Sequence, residues 1–391
     1  MSKKAFKYRL YPTKQQEQVL QTTLNLCREL YNASLEERRE AYRLQKKTIS
    51  FNQQSEQLPE MKELRPELND IHSQVLQDVL HRVDKAMKAF FRRAKAGEKP
   101  GYPRFKSYNR FDSFTFPQFG FSLEGKHINL SKIGKVKVKL HRPVEGKIKT
   151  CTIKREIDQW YAILVCEVEA EPLPANNQEV GVDMGILSFA TLSTGEKIEN
   201  PRHYRRAQKR LAQLQQNLTR KKKGSHRRGK AKQAIAKLHR KIKNQRKDFL
   251  HKESRKLVNT YSTIYFENLN IAGMTRRPKP KQDETTKEYL PNGAAAKAGL
   301  NKSILDAGWS QFQQYCTYKA ESAGRSVLFV DPSGTSQRCS NCGRIVRKTL
   351  ADRWHSCACG TELDRDHNAA LDIKRLGSSQ QVAIPVEAPC L

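Results

Sequence analysis

Apolar and polar positions change rhythm several times along the chain. "FKYRLYP" (6–12) alternates and stops at Pro12, the pattern of a short strand. From Thr13, a residue suited to capping a helix, Leu20, Leu24, Cys27, Tyr31 and Leu35 recur at helical spacing and predict a helix over 13–42. A second helical run covers about 67–94, with Val75, Val79, Val83, Met87 and Phe90 along one packing face. "GEKPGYPRF" (97–105) breaks it. From there to about 170 the pattern becomes short alternating runs such as "VKVKLH" and "QWYAILVCEVEA", which predict a small β-barrel. "EPLPANNQ" (171–178) has linker composition.

Beyond the linker, "EVGVDMGILSFATLSTGEKIEN" (179–200) reads as a two-strand hairpin turning at "STGE". Leu211, Leu214 and Leu218 mark one helix, and Ile235, Leu238 and Ile242 a second, joined by "TRKKKGSHRRGK". "YSTIYFENLNI" (261–271) and "RSVLFVDP" (325–332) read as buried strands, and 301–324 as one helix closed by Gly324. Residues 276–299 are polar and aperiodic, which predicts a loop that could act as a lid. The chain after Gly377 reads as a tail.

Charge changes the picture. The 391 residues carry a formal net charge of +33, a surplus that draws a protein to a polyanion. It is concentrated: residues 201–256 hold 22 Lys and Arg against two acids. Helices so lopsided repel themselves unless a phosphate backbone neutralises them, so the hairpin is an expected RNA site, with Lys221, Lys222, Lys223, Arg227 and Arg228 as candidate contacts. "MSKKAFKYRLYP" lacks the apolar core of a secretory signal, and no apolar run reaches a membrane span. The expected location is cytoplasmic, on the nucleoid.

Nine cysteines in a reducing compartment suggest metal binding over disulfides. Cys27, Cys166 and Cys316 sit in apolar surroundings and read as core, while Cys151 and Cys390 are isolated. Cys339, Cys342, Cys357 and Cys359 form C-x2-C, a 14-residue gap, then C-x-C. Each pair is followed by a glycine that lets the backbone turn. Four thiolates close a tetrahedral shell and leave no open position, so one structural Zn²⁺ is expected. Arg338, Arg344, Arg347 and Lys348 stand near enough in sequence to offset its negative charge.

Three acids stand out against the basic background. Asp183 lies in "VGVDMGI", Glu267 ends "TIYFE", and Asp366 opens "RDHNAALDIKRL". A carboxylate on a buried strand is costly unless a cation offsets it, and carboxylates converging from distant segments suit two-metal phosphoryl chemistry. A strand Asp, a later strand-end Glu and a helix-borne Asp are what an RNase H-like fold provides. Taken singly, Asp183 could cap a turn and Glu267 could pair with an arginine. Asp364, two residues before Asp366, reads as a cap or support for the last helix.

With "YRLYPT", "CRELYN", "GYPRFK", "GVDMGI", "DFLHKES", "FENLNI", "DAGWSQF", "CSNCG" and "CGTELDRDHNAALDI" in order, the sequence resembles the TnpB family of transposon-encoded RNA-guided DNA endonucleases, compact relatives of type V CRISPR effectors. The resemblance implies an α/β multidomain fold. A β-barrel wedge (1–10 and 105–172) carries a helical recognition insert (11–104). A RuvC-like, RNase H-like nuclease domain (175–335 and 363–377) is interrupted by a zinc-binding module (336–362) and followed by a tail (378–391). It implies catalytic, Mg²⁺-binding Asp183, Glu267 and Asp366 with two Mg²⁺ ions. It also implies a structured guide RNA, one protein chain per RNA, and a double-stranded DNA target beside a short flanking motif. By local match Phe51, Ser73, Gln74 and Gln77 would read that motif; glutamine suits a bidentate contact to adenine. Two other functions compete: a transposase that transfers DNA strands, for which a third Glu would be more usual than Asp366, and a guide-directed repressor with a dead nuclease site, against which all three acids count.

Overall fold

The computed structural model describes residues 2–108, 110–169, 172–349 and 351–382, the side chains of Ser2 and 380–382 excepted. Cys390 and most of the expected tail, 383–391, lie outside the described residues. The chain divides into two units, Met1–Glu169 and Ala170–Leu391.

In the first unit β1 (Ser2–Tyr11) leads into α1 (Lys14–Gln45), α2 (Phe51–Glu56), α3 (Leu58–Leu64), a 3-10 turn (Pro66–Asp70) and α4 (Ser73–Lys95). β2 (Ser113–Phe116), β3 (Phe121–Glu124), β4 (His127–Leu130), β5 (Gly134–Lys139), β6 (Lys147–Glu156) and β7 (Gln159–Val168) complete it. Thr13 caps α1 as expected, in a reciprocal box with Gln16. The strands form one antiparallel sheet in the order β2-β6-β7-β1-β5-β4-β3. No ladder among the described residues joins β3 to β2, so the expected barrel is a half-barrel. Alternate residues of β2, β6 and β7 turn Phe114, Phe116, Cys151, Ile153, Leu164 and Cys166 into a core shared with α1 and α4. Sequence periodicity missed α2 and α3: one is a six-residue helix and the other a seven-residue helix, too short to show a repeat. The Ser50–Gln53 capping box was the available signal for α2, and Pro59 in the first turn that for α3.

The second unit is built on a mixed sheet ordered β10-β9-β8-β11-β14. Its strands are β8 (Glu179–Met184), β9 (Ser188–Leu192), β10 (Lys197–Glu199), β11 (Thr263–Glu267) and β14 (Ser326–Val330). The expected two-strand hairpin is thus a three-strand meander, because "GIL" makes a second tight turn ahead of "STGE". Strands β8, β11 and β14 run parallel. Helices α5 (His203–Thr219) and α6 (His226–Thr260) form the expected basic hairpin. After a short α7 (Ile271–Met274), the predicted loop contains its own small ladder, β12 (Lys281–Gln282) with β13 (Tyr289–Leu290). Asp283, which accepts from the amides of Thr285 and Thr286, turns that ladder.

The predicted single helix over 301–324 is two, α8 (Ala294–Ala307) and α9 (Trp309–Ser322). Gly308 separates them at φ +74°, a conformation that glycine adopts without strain. β15 (Trp354–Ser356) and β16 (Glu362–Asp364) pair antiparallel and hand the chain directly to α10 (Arg365–Val382). The helix continues past Gly377, where a tail was expected. Space explains this: a Cβ at Gly377 would fall 2.1 Å from the Tyr265 ring, so the missing side chain lets α10 lie on the sheet.

Helices α6 and α9 cover one sheet face, over Val180, Val182, Ile264 and Phe266. Helix α10 covers the other, over Tyr265 and Val330 through Ile373. Among the described residues no helix is long and apolar enough to cross a membrane.

Candidate active site and cysteine cluster

Strand alternation decides which way the acids face. Val180 and Val182 of β8, with Ile264 and Phe266 of β11, point to the α6–α9 side. Gly181 and Asp183, with Tyr265 and Glu267, therefore point to α10. The two strands pair Tyr265 with Gly181 and Phe266 with Val182, so one further step brings Glu267 beside Asp183. Helix α10 begins over this corner and brings Asp366 in its first turn.

The electrostatics agree with that convergence. Burial, together with the charges of Glu267 and Asp366, pushes the Asp183 carboxyl well above its ordinary range. Burial also raises Glu267, against the hydrogen bond it accepts from Thr335. Glu267 is buried, with one carboxylate oxygen held by the Thr335 hydroxyl and its carbonyl held by Gln313 Nε2 at 2.9 Å. Asp366 lies 3.4 Å from Arg365 Nε. Asp183 thus bears both burial and the charge of two other carboxylates, a cost that a divalent cation among hard oxygen donors would relieve. They do not crowd onto one point. Among the described residues, the group of metal-ligating side chains whose donor atoms all lie within 4.8 Å of one another is the four cysteines.

Asp364 has a different place. It accepts from the amides of Asp366 at 3.0 Å and His367 at 3.2 Å, and pairs with Lys197 at 2.8 Å. Although burial works upward, the Lys197 ammonium and these amides hold its carboxyl below the usual range. It caps α10, as the sequence suggested.

Cys339, Cys342, Cys357 and Cys359 are brought together. The sulfurs of Cys339 and Cys359 are 3.7 Å apart, and those of Cys342 and Cys357 are 3.6 Å apart. A tetrahedron with Zn–S bonds of about 2.3 Å has edges of roughly 3.8 Å, so the cluster fits a zinc ion. Gly343 and Gly360 close the two turns at φ +76° and +85°, donating to the carbonyls of Cys339 and Cys357, each at 2.9 Å. The shorter second pair therefore reaches the same geometry as the first.

Three residues that sequence reasoning missed tie these parts together. Thr335 holds Glu267. Asn368 donates to the Arg338 carbonyl at 2.7 Å and accepts from the Ser340 amide at 3.0 Å. Fully buried Asp372 holds Arg375 at 2.6 Å. Asn368 and Asp372 stand inside the "DRDHNAALDI" motif, which was the available signal. Thr335, in "GTSQRC", gave none.

The nucleic-acid candidates divide. Lys222, Lys223 and Arg227 are exposed on the α5–α6 turn and Lys221 is half-buried. Arg228 is spent internally, donating to the carbonyls of Leu218 and Lys221, each at 2.9 Å. In the first unit Ser73, Gln74 and Gln77 share the first turns of α4. Ser73 accepts from Lys62 at 2.8 Å, Gln74 accepts from the Phe119 amide at 3.0 Å, and Gln77 is exposed. Phe51 is half-buried against the core, its ring edge-on to His81 at 5.1 Å.

Comparison with known proteins agrees with this architecture. Residues 163–277 match a family profile described as a probable transposase, and residues 309–373 match one described as a Cas12f1-like TNB domain. Residues 1–47 match a helix-turn-helix profile, although here they form a strand and one long helix. A Streptomyces pristinaespiralis protein provisionally named an RNA-guided DNA endonuclease is 36% identical, over 96% of this chain and 89% of its own. InsQ of Escherichia coli K12, named in the same provisional way, is 34% identical over 88% of this chain and 84% of its own. Among solved structures, the Cas12f1 chain of a Cas12f1–sgRNA–target DNA complex shares the fold, with a TM-score of 0.56 at 13% identity over 95% of this chain and 98% of that one. The chain belongs to the TnpB family of transposon-encoded RNA-guided DNA endonucleases.

Proposed function

We propose that this protein cleaves double-stranded DNA, chosen by base pairing to a bound guide RNA, at a Mg²⁺-dependent RuvC-like site. The observation that carries the reading is the convergence of Asp183 and Glu267 on adjacent parallel strands beneath the helix that bears Asp366. Asp183, Glu267 and Asp366 would hold two Mg²⁺ ions. When bound, these supply Lewis-acid activation of water and charge stabilisation at the leaving 3′ oxygen. Thr335 keeps one oxygen of Glu267 engaged and leaves the other for a cation. Asp364 holds the first turn of α10, and so the approach of Asp366.

In this reading the first unit is the wedge, with its helical insert α1–α4, and the second is the nuclease domain with a zinc ribbon at 336–362. The ribbon's ion would be structural, held by Cys339, Cys342, Cys357 and Cys359. The exposed cations of the α5–α6 turn would bind guide-RNA phosphates. The exposed and half-buried polar side chains at the start of α4, with Phe51 beside them, would read a short flanking motif in the target duplex. One chain per RNA is the expected assembly, on the nucleoid.

The test is purification with co-purifying RNA, sequencing of that RNA, and a cleavage assay on matching DNA with Mg²⁺ or EDTA. Guide-matched cleavage that EDTA abolishes is expected. Cleavage that ignores the RNA sequence, or strand transfer in place of hydrolysis, would sink the reading.

A further inference from the structure

The segment between β14 and the first cysteine pair touches both arms of the acid site. Thr335 is buried, and its hydroxyl donates to Glu267 Oε1, with the Pro332 carbonyl 3.2 Å away. The next three residues form a tight turn: the amides of Gln337 and Arg338 donate to the Gly334 carbonyl at 2.9 and 2.8 Å. The turn runs directly into Cys339, which is fully buried. At that point Asn368, also fully buried, grips the chain twice, through the Arg338 carbonyl and the Ser340 amide. Asn368 stands two residues after Asp366 on α10. Arg338 NH1 also approaches the buried Asp372 of the same helix at 3.7 Å. A single short turn therefore holds Glu267 at one end and the helix of Asp366 at the other, with a cysteine ligand between them.

We propose that Thr335 and Asn368 are positioning residues through which zinc in the cysteine cluster sets the spacing of Glu267 and Asp366, and hence the affinity of the catalytic cation site. This rests on the nuclease reading above. The physical basis is that a carboxylate held by one outer partner loses rotational freedom and presents its remaining oxygen in a fixed direction. Loss of the ion would loosen Cys339 and Ser340. Asn368 would then lose its two fixed partners, and Thr335 the turn that aims it.

The test uses the purified protein–RNA complex, with Mn²⁺ as the probe and binding followed by calorimetry or spin resonance. Glu267→Gln first asks whether the probe reports the acid site: it should lose binding, and normal Mn²⁺ binding in that variant would overturn the nuclease reading itself. Thr335→Val keeps the shape of the side chain and removes its proton. It should keep the zinc content of the wild type while weakening Mn²⁺ binding by about tenfold, the lower end expected for an outer-shell partner. Thr335→Ser should restore it. Cleavage by Thr335→Val should recover at raised Mn²⁺, which a merely unfolded protein would not do. Removing zinc from the wild type with a thiol-reactive reagent should weaken Mn²⁺ binding to a similar degree, and in Thr335→Val should add little, because the two changes act through one path. Asn368→Asp, which sets a carboxylate against the Arg338 carbonyl, should behave as Thr335→Val does. If Thr335→Val binds Mn²⁺ as the wild type does while Glu267→Gln does not, the positioning role is wrong and the nuclease reading survives. Zinc removal that leaves Mn²⁺ affinity unchanged in protein that is still folded would equally overturn the coupling.

Discussion

The α5–α6 turn allows a quantitative test of RNA binding, because its cations are of two kinds. Lys222, Lys223 and Arg227 are exposed. Arg228 is half-buried and engaged with the Leu218 and Lys221 carbonyls at the end of α5. If each exposed cation neutralises one phosphate, changing all three to Gln removes three released counterions. The slope of log affinity against log salt should then flatten by about 2 for single-stranded contacts and nearly 3 for duplex contacts. At 0.1 M salt this corresponds to a loss of affinity of roughly a hundredfold or more. Arg228→Gln should behave differently. It leaves two carbonyls short of a charged donor, costing about 1–3 kcal/mol in stability, with little change in slope. The assay is filter binding of the co-purifying RNA between low and high salt, beside thermal melting of each variant. A triple variant with the wild-type slope, or an Arg228 variant that flattens the slope equally while melting normally, would refute the division of roles.

Three further outcomes follow from the second unit. Asp183→Ala, Glu267→Ala or Asp366→Ala should each abolish cleavage and leave guide-directed DNA binding intact. Asp364→Ala should mainly cost about 1 kcal/mol of stability as a lost cap, and an Asp366→Ala protein that still cuts while Asp364→Ala does not would reverse those assignments. Metal analysis should find about one zinc per chain, and Cys342→Ser or Cys357→Ser should release it and expose 336–362 to protease; four reactive thiols in metal-free wild type would remove the zinc claim. Lys319 of α9 is buried, donating to the His251 carbonyl at 2.7 Å and Ser254 Oγ at 2.6 Å. Burial, aided by Arg255 and opposed by Cys316, pushes its ammonium down to about 8. The unfolded chain therefore binds the extra proton between that value and the free lysine value of about 10.4, so the Lys319 contribution to stability should rise with pH across this window and be least below it. Melting of wild type against Lys319→Met from pH 7.5 to 10.5 checks the sign; a difference that stays constant with pH would contradict it.

The legible parts of this fold are those whose signal is local. Thr13 marked the start of α1, and the cysteine spacing with its two glycines marked the turns that bring four sulfurs together. Asp183 and Glu267 stood out because carboxylates on strands are costly and few in so basic a chain, and Asp366 because it opens the last helix beside Asp364. What escaped depended on distance in sequence or on space. Thr335 meets Glu267 across 68 residues, and nothing near a threonine in "GTSQRC" signals a partner so remote. Gly308 sits within an unbroken helical pattern, so the break between α8 and α9 shows only in its backbone angle. Gly377 reads as the start of a tail because glycine usually ends helices, yet here it admits an aromatic ring. The half-barrel differs from the expected barrel because alternation marks strands but not whether the last one meets the first.

Gly377 has a counterpart on the facing strand. A Cβ at Gly181 would lie 2.1 Å from the Ala370 carbonyl and 2.7 Å from the Lys374 amide of α10. At Gly181 the helix therefore rests on bare main chain, and at Gly377 it offers its own bare main chain to the Tyr265 ring. Ordinary core contacts absorb a substitution by shifting rotamers. Backbone seated on backbone cannot, so a single added methyl at Gly181 must move the whole helix. Asp183 lies two residues beyond that seat on the strand, and Asp366 one turn before it on the helix. The approach of these two acids thus turns on a bearing with no play, intolerant of any side chain added at the seat itself.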